Sequence, residues 1–186
     1  MRIIAGKHKG RPLSVPPGTA VRPTSDRARE ALFDILAHGR FADGPAYLDA
    51  MVLDAFAGTG AFGLEALSRG ARHVTFLEKD RDARAALTDN VRKLGETAHC
   101  TILGGDALKP PRGMGPCNLV FLDPPYNEDL AASALAALAS AGWIAEDALV
   151  IVEVAAKQAF AVPAGFAVLE ERKYGAARLV FARRAA

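Results

Sequence analysis

Cysteine is scarce in this chain. Cys100 and Cys117 are the two in 186 residues, with no C-x-x-C spacing and four scattered histidines around them. That pattern excludes a disulfide framework, supplies no metal-ligand set, and leaves buried free thiols as the expectation; no metal is predicted. Long hydrophobic runs are missing too. The longest uncharged stretch, LAASALAALASAGWIA from Leu130 to Ala145, is broken by Gly142 and is shorter than the ~20 apolar residues a bilayer crossing needs. It reads as a helix covering a sheet. The opening MRIIAGKHKG has too few consecutive apolar residues for a secretory signal, so a cytoplasmic location is expected.

Acidic residues are absent from the first 25 positions, and this absence is the most informative one. Residues 1–40 carry eight basic side chains (Arg2, Lys7, Lys9, Arg11, Arg22, Arg27, Arg29, Arg40) against three acids, while the other 146 residues are slightly acidic. A basic arm on a neutral-to-acidic body points to a polyanion partner, because Lys and Arg gain affinity by displacing counterions from phosphates. Arg2, Lys7, Lys9, Arg11, Arg22, Arg27 and Arg29 are the candidate contacts.

What is present is ordinary globular material, 51% apolar and 24% charged, in a length suited to one sizeable core. RIIAG, KHKG and RPLSVP read as a short hairpin with a basic turn; Pro16, Pro17, Gly18 and Pro23 then interrupt regular structure. Thr24 and Ser25 are N-cap candidates for a helix through His38, stopped by Gly39, with Ala28, Leu32, Ile35 and Leu36 on one face. Two parts are predicted: residues 1–40, a basic hairpin and helix, and residues 41–186, a catalytic domain.

Beyond GRFADGPAYLDA the pattern alternates, with strands predicted near 51–56, 73–78, 99–103, 118–123 and 148–154 and helices near 61–69, 80–94 and 129–142. This implies a mostly parallel sheet with helices on both faces. FAVLEERKYG and AARLVFARR follow as consecutive strands with no helix between them, which requires an antiparallel hairpin on the sheet edge.

In such a sheet, ligands bind beyond the carboxyl ends of the strands, near the point where strand order reverses. Four successive strands end in or run into a carboxylate: Asp54, Glu78, Asp106 and Asp123. VLDAFAGTGAFGLEAL contains Gly58-x-Gly60-x-x-Gly63, a glycine loop that brings bare backbone and a helix start against an anion. Glu78, 15 residues past Gly63, is placed to accept hydrogen bonds from ribose hydroxyls. Asp106, in GGDAL, is a candidate partner for an adenine amino group. These features fit NAD as well as another adenosine-type ligand.

DPPY separates the two. Asp123 closes a strand, two prolines fix a turn that leaves the Pro124 carbonyl free to accept, and the Tyr126 ring follows. An acceptor pair beside a stacking platform suits a flat base with an exocyclic NH2 and suits hydride transfer poorly.

D-x-F-x-G-x-G followed by D-P-P-Y resembles the S-adenosylmethionine-dependent amino-methyltransferases. The segments RIIAGKHKGRPL, RPTSDRAREALFDIL and VLDAFAGTGAFGLEALSRGA are together similar to the bacterial RsmD family, which methylates a guanine amino group in small-subunit (16S) ribosomal RNA. Ala55 and Thr59 stand where cysteine and serine are common in that family. The resemblance implies a Rossmann-like α/β methyltransferase fold with seven strands, and S-adenosylmethionine as cofactor. It also implies a methionine-end site at Asp54, Phe56, Ala57, Gly58, Thr59 and Gly60, with the ribose at Glu78 and the adenine near Asp106. Asp123, Pro124 and Tyr126 would act on the base, and the partner would be 16S ribosomal RNA or the small ribosomal subunit during assembly. A DNA amino-methyltransferase would share DPPY, and a non-catalytic RNA-binding protein would share the arm. Because the arm and the glycine loop are far apart in the chain, removing residues 1–20 is expected to spare cofactor binding.

Overall fold

The computed structural model describes residues 1–16, 26–38, 40–126 and 130–185. Pro17, Gly18, Arg22, Pro23, Thr24, Ser25 and Gly39, all singled out above, lie outside them. Seven strands form one sheet: β1 (Met51–Ala55), β2 (His73–Glu78), β3 (Cys100–Gly104), β4 (Cys117–Leu122), β5 (Ile144–Ala155), β6 (Phe166–Tyr174) and β7 (Ala177–Arg184). Their order is β3-β2-β1-β4-β5-β7-β6. The first five are parallel; β7 runs antiparallel to β5 and β6, as the helix-free connection demanded. The order reverses between β1 and β4, so the crevice a ligand would use lies beyond Ala55 and Leu122, which are register partners.

Among the described residues, four α-helices complete the fold: α1 (Asp26–Ala37), α2 (Ala61–Ser68), α3 (Arg81–Leu94) and α4 (Ala131–Ser140). Strand periodicity sorts the core. Val52, Val74, Phe76, Leu119 and Phe121 face one cluster, with Phe62 and Leu64 of α2 and Leu87 and Val91 of α3. Leu53, Leu77, Val120 and Leu122 face the other, under Ala131, Ala134, Leu135 and Leu138 of α4. The run from Leu130 to Ala145 is helix only as far as Ser140. Gly142, at φ +83°, ends it, and β5 starts at Ile144, earlier than its apolar run suggests, with a register shift that absorbs Asp147 at φ +58°.

The arm is not a separate layer. Ile3, Leu13, Leu32, Phe33 and Leu36 are buried in the same cluster as α2 and α3, so residues 1–40 and 41–186 share a core. The predicted hairpin survives as one antiparallel bridge, Arg2 to Pro12, with backbone hydrogen bonds between Ile3 and both Gly10 and Arg11, and its turn is tightened by a 3-10 segment at Gly6–His8. Aromatic packing carries the link inward: Phe33 lies 5.1 Å from Phe62, which stacks on Phe121 of β4 at 4.1 Å.

Candidate functional site

The glycine loop connects β1 to α2, and three side chains pin it. Asp54 follows Val52 by two residues and so faces α2, where its Oδ2 accepts the Gly63 amide at 2.9 Å. Glu78, the last residue of β2, accepts the Gly58 amide at 2.7 Å through Oε2 and the Asp80 amide at 2.8 Å through Oε1. Asn90 of α3 donates from Nδ2 to the Thr59 carbonyl at 3.1 Å. The chain reaches this shape through left-handed residues at Phe56 (φ +61°), Gly58 (φ +54°) and Gly60 (φ +81°). A Cβ at Gly60 would sit 2.3 Å from Leu87, and one at Gly63 would sit 2.4 Å from Phe76; both glycines let α2 close onto the sheet. A Cβ at Gly58 would meet nothing within 4 Å, so that side of the loop is open.

These residues fit the adenosine-type ligand that the sequence implied. An ionised carboxylate has about four lone-pair sites, and the two backbone amides on Glu78 leave capacity for ribose hydroxyls. Asp54 differs from Glu78 in its surroundings. It lies inside β1 and is 2% exposed; burial, with help from the Glu78 charge and against the Gly63 amide, pushes its pKa up to about 8. Its direct work is to hold the first turn of α2. Asp106, half-buried, accepts the Leu108 amide at 3.0 Å and thereby forms its own turn just past β3.

Across the order reversal, Asp123 directly follows Leu122, the register partner of Ala55, and so lies beside the Phe56 end of the loop. Asp123 is half-buried, Pro124 buried and Pro125 exposed. The Tyr126 hydroxyl donates to Glu153 Oε1 on β5, a carboxylate only 3% exposed. Sequence reasoning missed Glu153, although an acid inside the apolar run VIVEVA was the available signal.

The arm sits against the same loop from the α2–α3 side. Glu65 of α2, fully buried, accepts the Ile4 and Ala5 amides at 2.7 and 3.0 Å and pairs with Arg69 at 2.7 Å. Ser68 Oγ accepts the His8 amide at 3.0 Å, and a Cβ at Gly6 would lie 1.8 Å from the Ser68 carbonyl. Lys7 and His8 both reach Glu96, at 2.6 and 2.5 Å; burial opposes ionisation there, but these two partners hold its pKa below the usual carboxylate range. Arg11 donates to the Lys93 carbonyl at 2.8 Å.

Those contacts revise the basic set. Arg29 is 3% exposed, with its guanidinium on the Arg2 carbonyl and Asp26 and 3.8 Å from Glu65. It fastens the arm and is not placed to meet a phosphate. Arg2, Lys7, Lys9, Arg11 and Arg27 remain exposed. A groove between α3 and the edge strand β3, lined by Arg81, Arg84 and Arg92, adds basic surface that the charge map of the first 40 residues did not show. The arm and the glycine loop, far apart in the chain, meet through Asn90, which bonds both Ser14 and Thr59.

A family profile described as "Conserved hypothetical protein 95" matches residues 1–183. The chain is 38% identical over 177 residues to the ribosomal RNA small subunit methyltransferase D of Escherichia coli K12, covering 94% of this chain and 85% of that one. The enzyme of the same name from Haemophilus influenzae is 36% identical over 181 residues, covering 94% and 89%. The solved yhhF protein of Escherichia coli superposes with a TM-score of 0.85 at 38% identity, covering 100% of this chain and 98% of that one. With the glycine loop, the strand-end acids and DPPY arranged around one crevice, these similarities establish that the chain belongs to the RsmD family of small-subunit ribosomal RNA methyltransferases.

Proposed function

We propose that this protein methylates the exocyclic N2 of a guanine in 16S ribosomal RNA, on the naked RNA or on the small subunit as it assembles in the cytoplasm. S-adenosylmethionine is the cofactor and supplies an electrophilic methyl group on a sulfonium centre. Glu78 holds the ribose, Asp106 lies toward the adenine, and the segment Asp54 to Gly60 receives the methionine end. The observation that carries the reading is the placement of Asp123-Pro124 beside Phe56 at the reversal of strand order, which puts two amino-group acceptors next to the cofactor loop.

A guanine amino nitrogen is a weak nucleophile because its lone pair is delocalised into the ring. Accepting its two N–H groups at the Asp123 carboxylate and the Pro124 carbonyl favours a pyramidal nitrogen with its lone pair aimed at the methyl carbon. Tyr126, tethered through its hydroxyl to Glu153, presents a fixed ring for the extruded base to stack on. The contribution of the protein is orientation and electrostatics, with no covalent enzyme intermediate.

The test is methyl transfer from labelled S-adenosylmethionine to naked 16S RNA, small subunits and DNA in parallel. The wild-type protein should label RNA or subunits on guanine N2, and Asp123→Ala should nearly abolish labelling while cofactor affinity changes little. Labelling of DNA adenine or cytosine instead would assign the site to a DNA amino-methyltransferase; undiminished turnover in Asp123→Ala would remove that residue from the chemistry.

A further inference from the structure

Asn90 is 1% exposed, and every polar atom of its carboxamide is used. Oδ1 accepts the Ser14 amide at 2.7 Å, while Nδ2 donates to the Ser14 carbonyl at 3.0 Å and to the Thr59 carbonyl at 3.1 Å. One side chain therefore joins the end of the arm to the crest of the glycine loop. The orientation of the amide is determined, since a flip would set donors against the Ser14 amide and an acceptor against two carbonyls.

The Thr59–Gly60 peptide is held at both ends. Its carbonyl is taken by Asn90 and its N–H donates to the Ala57 carbonyl at 2.8 Å. A peptide fixed on both sides cannot rotate, and Gly60 beside it occupies the left-handed φ on which the start of α2 depends. The Thr59 hydroxyl also donates to the Met1 sulfur at 3.6 Å, a second arm-to-loop contact. If the arm lifts, Asn90 loses two of its three hydrogen bonds in a buried setting, and its hold on Thr59 has no further support.

From this geometry we infer that Asn90 is a positioning residue that makes arm docking and cofactor binding one coupled equilibrium, so that the glycine loop is fully formed only beneath a docked arm. The inference rests on the assignment of the glycine loop as the cofactor site. Coupling is reciprocal: a ligand that favours the ordered loop also favours the docked arm, and an RNA that grips the docked arm raises cofactor affinity by the same factor.

Hydrogen exchange of the wild-type protein with and without saturating S-adenosylhomocysteine tests both levels. Amides of residues 56–60 should slow, as the site reading requires, and those of Ile4, Ala5, His8 and Ser14 should slow with them. Protection in the loop without any in the arm would overturn the coupling; no protection in the loop would overturn the site assignment beneath it. Two variants then address cause. Asn90→Ala cuts the bridge, and Gly6→Ala lifts the far end of the arm by steric conflict with Ser68, touching no loop residue. Each should weaken S-adenosylhomocysteine binding at least tenfold by calorimetry, and the double variant should be little weaker than the singles. Binding within twofold of wild type in folded Gly6→Ala protein would refute the inference even if Asn90→Ala did not fold.

Discussion

Asp54 and Glu78 are both acids of the strands that flank the glycine loop, yet Asp54 is buried within β1 while Glu78 closes β2. Burial raises the pKa of Asp54 to about 8, so in the cofactor-free protein this group favours the folded state at low pH and progressively less as pH rises. Between about pH 4 and 8 the unfolded chain is ionised at this position while the folded one is protonated. Stability should therefore fall as pH rises through that window. Asp54→Asn should remove that slope, which urea unfolding of cofactor-free protein at pH 5 through 8 measures directly. Glu78→Ala should act on the ligand, weakening S-adenosylmethionine binding by about 1–3 kcal/mol, the scale of lost charge-assisted hydrogen bonds. Isothermal calorimetry reads that loss. NAD should give no heat in the same cell.

At the scale of elements, the arm and α3 form a clamp closed by Glu96. Lys7 and His8 hold its pKa below normal, so its stabilisation is present above the ordinary glutamate pKa and is lost as pH falls through the lowered value. Acid should therefore loosen the arm, seen as faster proteolysis near residues 5–11 below about pH 4 by an acid-active protease. Because Lys7 and Arg11 serve this clamp, reversing their charges would disturb docking as well as RNA contact. Lys9 is the cleaner probe, being exposed in the turn. If it meets a phosphate, Lys9→Glu should reduce the salt slope of log RNA affinity by about 0.7, the single-strand value per contact. Filter binding from 50 to 300 mM salt, on the order of the range where such slopes are linear, would show it. Tyr126→Ala should leave that slope unchanged and lower turnover, since stacking displaces few counterions.

For the whole molecule, the shared core makes the arm part of the fold. Removing residues 1–16 would strip Ile3 and Leu13 from the first cluster, at about 1.5–3 kcal/mol each, and take both arm amides from the fully buried Glu65. A net stability of about 5–15 kcal/mol does not absorb that comfortably. The truncated protein should lose its cooperative thermal transition or melt more than about 10 °C lower in circular dichroism, given about 2–4 °C per kcal/mol at this size. A truncated protein melting at the wild-type temperature would separate the arm from the core.

The alternation of short apolar strands with helices, the helix-free final pair and the glycine, Glu78 and DPPY punctuation were all legible from residue order. Each depends on local periodicity and backbone chemistry, and each places its residue at a strand end with little help from the rest of the molecule. The sequence by itself thus determined the parallel sheet, its antiparallel edge and the crevice at which the acids gather. Only the tertiary structure decided which charges are spent internally. Arg29, Lys7 and Arg11 count as positive surface in a charge map, but packing α1 and the arm against α2 and α3 turns the first inward and gives the others intramolecular partners. Glu65, Asn90, Glu96 and Glu153 gave no more sign than a lone polar residue in an apolar or amphipathic run. Each has a partner between 27 and 88 residues away, and nothing local specifies a contact at that separation. A buried polar group must find its partner wherever the fold brings one, so the pairing is a property of the packed molecule and not of the segment.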